Sequence, residues 1–427
     1  MKPYNDFTLV EWLEYLENRH LQEIQLGLSR IKQVAESLEL LHPEAKIITV
    51  AGTNGKGSTV ASLEALYLKG GYQVASYTSP HLLIFNERIR INQRPISDQQ
   101  LCEAFALIED ARKSIELTYF EMTTLAALWH FKQYPLDLII LEVGLGGRLD
   151  ATNIIDADLA LITTIDFDHQ AYLGDTKEAI AYEKSGILRA NKPLIYADKN
   201  PPESIRAKAL SLDSPTYFLG ENYNYELSNG ILDFRFQEIK ISLPQPLLHA
   251  NSVSSALMAS LLLQAELPLK LSDLEQGISK VFLPGRLQLI NNVIPTLFDV
   301  SHNPQAVRYL AEYLNKNHPQ KVIHAVFSAL KDKDIPELIA PLKELISHWY
   351  FAKLEAKRAA PMEQLVAASK LYDLNPSFHN DPQSAYHAAC IQAKADDLIL
   401  VYGSFLTVGH VMSALCYNRD CVDNLIA

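Results

Sequence analysis

Eight residues, GTNGKGST from Gly52 to Thr59, bring three glycines, a lysine and three hydroxyls together directly after the apolar run IITVA. Strand, glycine-rich turn, lysine, helix is the order that points backbone N–H groups and a helix N-terminus at phosphate oxygens. In such a loop Thr53, Asn54 and Gly55 line the turn, Lys56 reaches the outer phosphates, and Gly57 and Ser58 open the helix. The spacing departs from G-x-x-x-x-G-K-[ST], in which the hydroxyl right after the lysine holds magnesium. Here Gly57 follows Lys56, so a metal serving a nucleoside triphosphate has to be held from elsewhere. The competing reading is a plain glycine-rich turn with a surface lysine; the intact strand–loop–helix order favours nucleotide binding.

Other reactive residue types fall at the ends of further apolar runs. In LEVGLGGRLDATN, Glu142 closes a buried strand, the edge at which α/β sheets bind ligands. An acid there serves a metal, or is a buried glutamate satisfied by a lysine. Arg148 and Asp150 follow as a charged pair that reads equally well as a salt bridge. In TTIDFDHQAYLG, His169 follows Asp166 and Asp168; because magnesium prefers oxygen, a histidine ligand there points to a second metal position. Lys184 lies near a helix end, where the helix dipole alone accounts for a cation. Further on, FDVSHNPQA sets Asp299, His302 and Asn303 at another strand end, and Arg286 in FLPGRL is placed to meet phosphate.

Two doubly wound α/β domains would hold these residues. Thr8 and Glu11 form a capping-box pattern opening a helix to about Glu17, and a second helix is predicted from Ser29 to Leu40. Strands are predicted at 47–52, 137–144 and 158–166, the last two as continuous apolar runs of the kind buried on both faces of a parallel sheet. Helices are predicted at 56–69, 98–113, 121–133 and 176–185. Residues 223–243, with Asn229-Gly230 between alternating runs, read as a β-hairpin insertion. After helices at 250–266 and 272–282, Pro284 and Gly285 mark a hinge, and the alternation restarts. Strands are expected at 296–301, 321–328, 348–354 and 398–404, with helices from Pro304, at 335–346, 361–370 and 381–395, and at the end. The expected domains are 1–286, a P-loop-type doubly wound domain, and 287–427, a smaller Rossmann-like α/β domain.

The bulk properties exclude several classes. A chain of 427 residues exceeds one ordinary core. The formal net charge of −12 argues against general binding to nucleic acid or an anionic membrane. Cys102, Cys390, Cys416 and Cys421 are scattered without a C-x-x-C pair, so neither disulfides nor structural zinc is expected, and a reducing cytoplasm fits. No signal-peptide pattern opens the chain, and the apolar stretch ALMASLLLQAEL is too short to span a bilayer.

The segments VAGTNGKGST, TSPHL, TYFEMTT, LEVGLGGRLDATN, EKSGI, LPGR, FDVSHNP, KDKDI and VYGSF occur in that order. Together they resemble the folylpolyglutamate synthase family, in its bifunctional dihydrofolate-forming branch, within the Mur ligase superfamily. The resemblance spans nearly the whole chain. It implies an ATP-dependent amide ligase that adds L-glutamate to dihydropteroate and to reduced folate polyglutamates through an acyl phosphate. It implies that Ser79 and Glu142 hold a first magnesium, and that His169 and a carbamylated Lys184 serve a second. Besides the loop residues 53–58, ATP contacts map onto Asn251, Arg286, Asp299 and His302. Contacts to the pteroyl acid map onto Ile24, Gln25, Leu26 and Gly27, onto Thr118, Tyr119, Phe120 and Glu121, and onto Leu149, Asp150 and Ala151. Incoming glutamate is expected in the second domain, with Ser404 a candidate, and the working state is expected to be a monomer. Two positions depart from the family pattern: Gln25 stands where bifunctional relatives often carry aspartate, and Leu406 where they often carry histidine. Against this reading stand polyglutamylation alone, a muropeptide ligase, and a nucleotide switch that hydrolyses without glutamate; TYFEMTT disfavours the second, and the second α/β domain with Asp299 and His302 disfavours the third.

Overall fold

A computed structural model describes residues 3–19, 25–279 and 281–415. The backbone divides into two compact units. The first comprises Met1–Pro80, Asn86–Asp166 and Gln170–Phe282; the second comprises His81–Phe85, Phe167–His169 and Leu283–Ala427. The division thus falls after Phe282, four residues before the expected boundary, and two short excursions of the N-terminal chain join the second unit.

In the first unit β1 (Lys46–Ala51), β2 (Val74–Tyr77), β3 (Ile89–Ile91), β4 (Arg94–Pro95), β5 (Leu138–Glu142), β6 (Leu159–Ile162), β7 (Leu194–Tyr196) and β8 (Thr216–Phe218) form one sheet in the order β4-β3-β2-β5-β1-β6-β7-β8. From β2 to β8 the pairings are parallel, and β3 and β4 add an antiparallel edge. β5 and β6 are buried at every position, as continuous apolar runs require when helices cover both faces. β1 lies between them, so the chain leaving its C-terminal end emerges beside the ends of β5 and β6.

The helices of this unit run α1 (Leu9–Arg19), α2 (Ser29–Ser37), α3 (Lys56–Lys69), α4 (Asp98–Arg112), α5 (Tyr119–Phe131), α6 (Gln170–Leu173), α7 (Lys177–Lys184), α8 (Glu203–Ser211), α9 (Ala250–Leu262) and α10 (Leu271–Ser279). α2 stops three residues short of the expected Leu40 because Glu39 turns to φ 55°. The insertion carries the expected hairpin, β9 (Tyr223–Ser228) and β10 (Ile231–Phe236), joined by Asn229 and Gly230 at φ 51° and 75°. A third strand, β11 (Ile239–Pro244), extends it through a turn at Gln237, whose φ of 50° no glycine or asparagine announces.

In the second unit β12 (Gln288–Ile290), β13 (Thr296–Phe298), β14 (Ile323–Phe327), β15 (His348–Ala352), β16 (Ser377–His379) and β17 (Leu398–Tyr402) form a sheet in the order β12-β13-β17-β14-β15-β16, parallel except for β12. Successive residues of one strand serve opposite cores: Ala325 and Phe327 pack with Trp349, Phe351 and Tyr402, while Val326 packs with Phe298, Tyr350 and Val401. The helices are α11 (Pro304–Asn317), α12 (Ile335–Ile339), α13 (Met362–Leu371), α14 (Pro382–Gln392) and α15 (Phe405–Leu415). The helix predicted to 346 ends at Ile339 because Pro341 lacks the N–H that would bond back to Glu337. Among the described residues no helix is long and apolar enough to cross a membrane.

Candidate active site

The loop between β1 and α3 is held from behind by the residues that follow β6. Thr53 N–H donates to the Thr164 carbonyl (2.8 Å) and Asn54 N–H to Thr164 Oγ1 (3.1 Å). Thr163 Oγ1 donates to the Asn54 carbonyl (2.6 Å), and Thr53 Oγ1 donates to the Asp166 carbonyl while accepting from its N–H. The amides of Thr53 and Asn54 therefore shape the loop. Those from Gly55 through Ser58, which a helix start leaves without intrahelical acceptors, are the ones suited to phosphate. Gly52 is required here: its φ is +145°, and a Cβ would sit 1.8 Å from Thr163 Oγ1.

Two lysines meet one carbonyl in this loop. Lys56 Nζ donates to Gly52 O (2.9 Å) and Thr53 O (3.2 Å), and Lys184 Nζ, from the end of α7, donates to the same Gly52 O (2.8 Å). Lys184 is only 5% exposed, so its cation is carried into the loop rather than displayed at a helix end, where dipole complementarity alone would put it. The start of α9 lies against the same loop: Ser252 Oγ donates to Gly55 O (3.3 Å), and the neighbouring Asn251 accepts from the Tyr225 hydroxyl of the insertion. Asn251 is thereby brought to the loop from two hundred residues away in the chain.

Glu142 is buried at the end of β5, paired in register with Val50 of β1. Ser79 follows β2, which pairs with β5 through Tyr77 and Leu141. Ser79 and Glu142 thus belong to adjacent strand ends and are both oxygen donors, the ligand type magnesium takes; the donor chemistry fits one such ion. Among the described residues no group of three or more His, Cys, Asp and Glu side chains is arranged to hold a metal, a condition that a serine–glutamate pair completed by phosphate and water does not need.

His169 falls in the segment that belongs to the second unit, at φ 51°. Its neighbour Asp168 is the centre of a charged cluster there: Oδ1 accepts from Lys333 Nζ at 2.5 Å, and Oδ2 lies 3.8 Å from His302 Nε2 and 3.9 Å from His169 Nε2. Burial works to raise the Asp168 carboxyl, yet His169, Lys333 and His302 around it hold it well below the ordinary range. His302 is pushed down to about 4 by burial and by Lys333, so its ring is neutral at physiological pH, with Nδ1 on the Val300 carbonyl at 2.9 Å. Asp299 beside it accepts from Leu287 N–H (2.9 Å) and from Ser301 N–H (3.0 Å), and the Arg286 guanidinium stacks 4.9 Å over the Phe405 ring. Arg286, Asp299 and His302 are thus brought together in this unit. Lys333, in KDKDI, carried no assigned role in the sequence; only its burial against Asp168 singles it out.

The three stretches expected to contact a pteroyl acid converge in the first unit. Gly27 N–H donates to Leu149 O (3.4 Å), joining the first to the third. Thr118 and Glu121 form a capping box at the start of α5. The Phe120 ring, half-exposed, lies 5.8 Å from Tyr77 and covers Gly144, where a Cβ would meet it at 2.5 Å. Phe120 is therefore partly exposed, with one side packed on Tyr77 and Gly144. Ile24 lies outside the described residues.

Several of these residues also have partners within the fold. Asp150 is buried and caps the turn, accepting from Thr152 N–H (3.0 Å), Thr152 Oγ1 (2.7 Å) and Leu145 N–H (2.8 Å); these bonds shape the turn that presents Leu149. Arg148 pairs not with Asp150 but with Glu183 (2.8 Å). Glu121 is likewise internal, its Oε2 taken by Thr118 N–H (2.8 Å). Ser404 is buried and caps α15 through Thr407, accepting its N–H at 2.9 Å.

Comparison with known proteins gives the family. Residues 50–260 match the Mur ligase middle domain, and residues 285–405 match the glutamate ligase domain of Mur ligases. The chain is 42% identical over 415 residues to the dihydrofolate synthase/folylpolyglutamate synthase of Escherichia coli (strain K12), covering 96% of each. It is similar in structure to E. coli FolC in complex with DHPP and ADP (TM-score 0.92, 41% identity, 97% of this chain and 99% of that one). It is equally similar to a bifunctional folylpolyglutamate synthase/dihydrofolate synthase with Mn, AMPPNP and L-glutamate bound (TM-score 0.91, 42% identity, 97% and 100%). The two domain matches define a Mur-type ligase. The chain belongs to the dihydrofolate synthase/folylpolyglutamate synthase family, ATP-dependent ligases that add glutamate in folate metabolism.

Proposed function

We propose that the chain joins L-glutamate first to 7,8-dihydropteroate and then to reduced folate polyglutamates, by way of an acyl phosphate. The observation that carries this reading is the convergence of Lys56 and Lys184 on the Gly52 carbonyl, in a loop buttressed at the sheet edge beside Glu142. A carboxylate is a poor electrophile, and transfer of the γ-phosphoryl group to it makes the carbonyl attackable. Amides 55–58 and the Lys56 ammonium take the phosphate charge. The free amine of glutamate then attacks, and phosphate leaves.

Ser79 and Glu142 hold one divalent ion, Mg²⁺ in the cell, with ATP oxygens and water filling the shell. A bound divalent ion supplies Lewis-acid neutralisation of the transferring phosphoryl group. His169 and a carbamylated Lys184 serve a second ion. Carbamylation replaces a cation by an anionic group and leaves one N–H on Nζ, so the bond to Gly52 O survives the modification. Asn251, Arg286, Asp299 and His302 complete the nucleotide contacts. Residues 25–27, 118–121 and 149–151 form the acceptor face, with Phe120 as its aromatic wall; domain 1–286 carries the phosphate loop and the acceptor face, and domain 287–427 takes the glutamate. The protein works as a monomer in the cytoplasm; Cys102 and Cys390, both free thiols, suit that compartment.

The test is phosphate release with ATP, L-glutamate and either dihydropteroate or tetrahydrofolate, on the wild type and Lys56→Ala. Release that requires both the pteroyl acid and glutamate, and that the variant loses, is expected. Release indifferent to both would identify a nucleotide switch instead.

A further inference from the structure

Arg30, on the first turn of α2, belongs to none of the recognisable motifs, yet it touches two of the three acceptor stretches. Its Nη2 donates to the Gln25 carbonyl (2.9 Å) and to Glu121 Oε1 (3.1 Å). Glu121 is 3% exposed, and its other oxygen caps α5. The guanidinium also underlies Gly27, where a Cβ would stand 3.9 Å from Nη1, and Gly27 N–H in turn reaches Leu149. Arg30 Nε is buried without a hydrogen-bond partner, while the side chain as a whole keeps 23% of its surface exposed. Among the described residues, the 25–27 loop has one main-chain bond to the third stretch, and Arg30 adds its link to α5.

We propose that Arg30 is a positioning residue for the acceptor. It fastens the Gln25–Gly27 loop to the N-terminus of α5 through Glu121, and so sets the face that takes the pteroyl acid without touching that acid. The inference rests on the assignment of residues 25–27, 118–121 and 149–151 to the acceptor. Both bonds leave one nitrogen, Nη2, fixed in the plane of the guanidinium at the end of a longer side chain; a lysine ammonium, on a shorter and flexible stem, places its donors elsewhere.

The experiment compares Arg30→Ala, Arg30→Lys, Glu121→Gln and Phe120→Ala in steady-state kinetics, varying dihydropteroate and then ATP, with melting temperatures alongside. For Arg30→Ala the KM for dihydropteroate is expected to rise about tenfold or more while the KM for ATP stays within about twofold. Glu121→Gln moves the same way, and the double variant is no worse than the worse single one, because both cut one link. If Phe120→Ala raises the dihydropteroate KM and Arg30→Ala does not, Arg30 has no positioning role. If neither variant raises it, the acceptor assignment itself is wrong. A lowered melting temperature with both KM values unchanged would make Arg30 merely structural. Should Arg30→Ala fail to fold, Arg30→Lys carries the test: a rise of about threefold supports the proposal and no rise overturns it.

Discussion

The phosphate loop and the acceptor face lie in the same unit and are built by opposite means. The loop is eight consecutive residues whose backbone does the binding, and its supports from Thr163 to Asp166 only brace a shape already written locally. The proposed acceptor face is assembled from stretches around residues 25, 120 and 150, which caps and an arginine tie to one another. A self-contained loop should fail sharply when one residue is lost, whereas an assembled face should fail by degrees.

The sharpest check is Lys56→Ala, expected to cut turnover on the order of 10³-fold because a charge that meets the transferring phosphoryl group is gone. Its melting temperature should move little, since its bonds to Gly52 O and Thr53 O stay within the loop; a large loss of stability would mean the loop is not self-contained. Lys184→Ala comes next, at roughly 10²-fold, with part of the activity restored by added short carboxylic acids that replace the carbamate. Absence of any rescue would leave Lys184 as a plain brace on Gly52.

The acceptor face depends on α5 staying folded, and His130 makes that dependence sensitive to pH. Burial pushes its imidazole down to about 4 from the ordinary 6.5. The folded value lies below the unfolded one, so the unfolded chain takes up the proton first. Stability is complete above about pH 6.5 and declines as pH falls from there toward 4. By pH 5 the loss should be on the order of 2 kcal/mol, about 30-fold in the folding equilibrium. Thermal melts of wild type and His130→Gln between pH 7 and 5 should differ in slope by that amount; parallel curves would clear His130. The smallest effect is Phe120→Ala, expected to raise the KM for dihydropteroate about tenfold and leave that for ATP nearly unchanged, as loss of one stacking surface implies. An equal rise in both would mean the two regions are not separable.

How far the residues could be read in advance follows the same division. Lys56, Glu142, Asp299 and His302 were legible because each sits at a strand end, and a strand end is a local pattern. Arg148 and Asp150 were misjudged as a pair because sequence neighbours were weighed against each other, while the partners that won, Glu183 and Thr152, are set by how the turn packs on α7. Lys333 and Arg30 stayed hidden because neither KDKDI nor the start of α2 has a local pattern that names the partner of its cation. β11 and the early end of α12 show the limit from the other side: a turn at Gln237 has no glycine to announce it, whereas Pro341 was in plain view and its missing N–H outweighed the apolar spacing.

By itself the order of residues determined two doubly wound α/β units, the glycine loop, the strand-end acids and the local caps at Glu121 and Asp150, since hydrophobic period and turn chemistry act over a few residues. Only the tertiary structure decided that Lys184 reaches Gly52, that Arg148 pairs with Glu183, and that Arg30 reaches both Gln25 and Glu121. Those are matters of which buried polar group finds which partner, and a buried charge must take whatever partner the packing brings within about 3 Å.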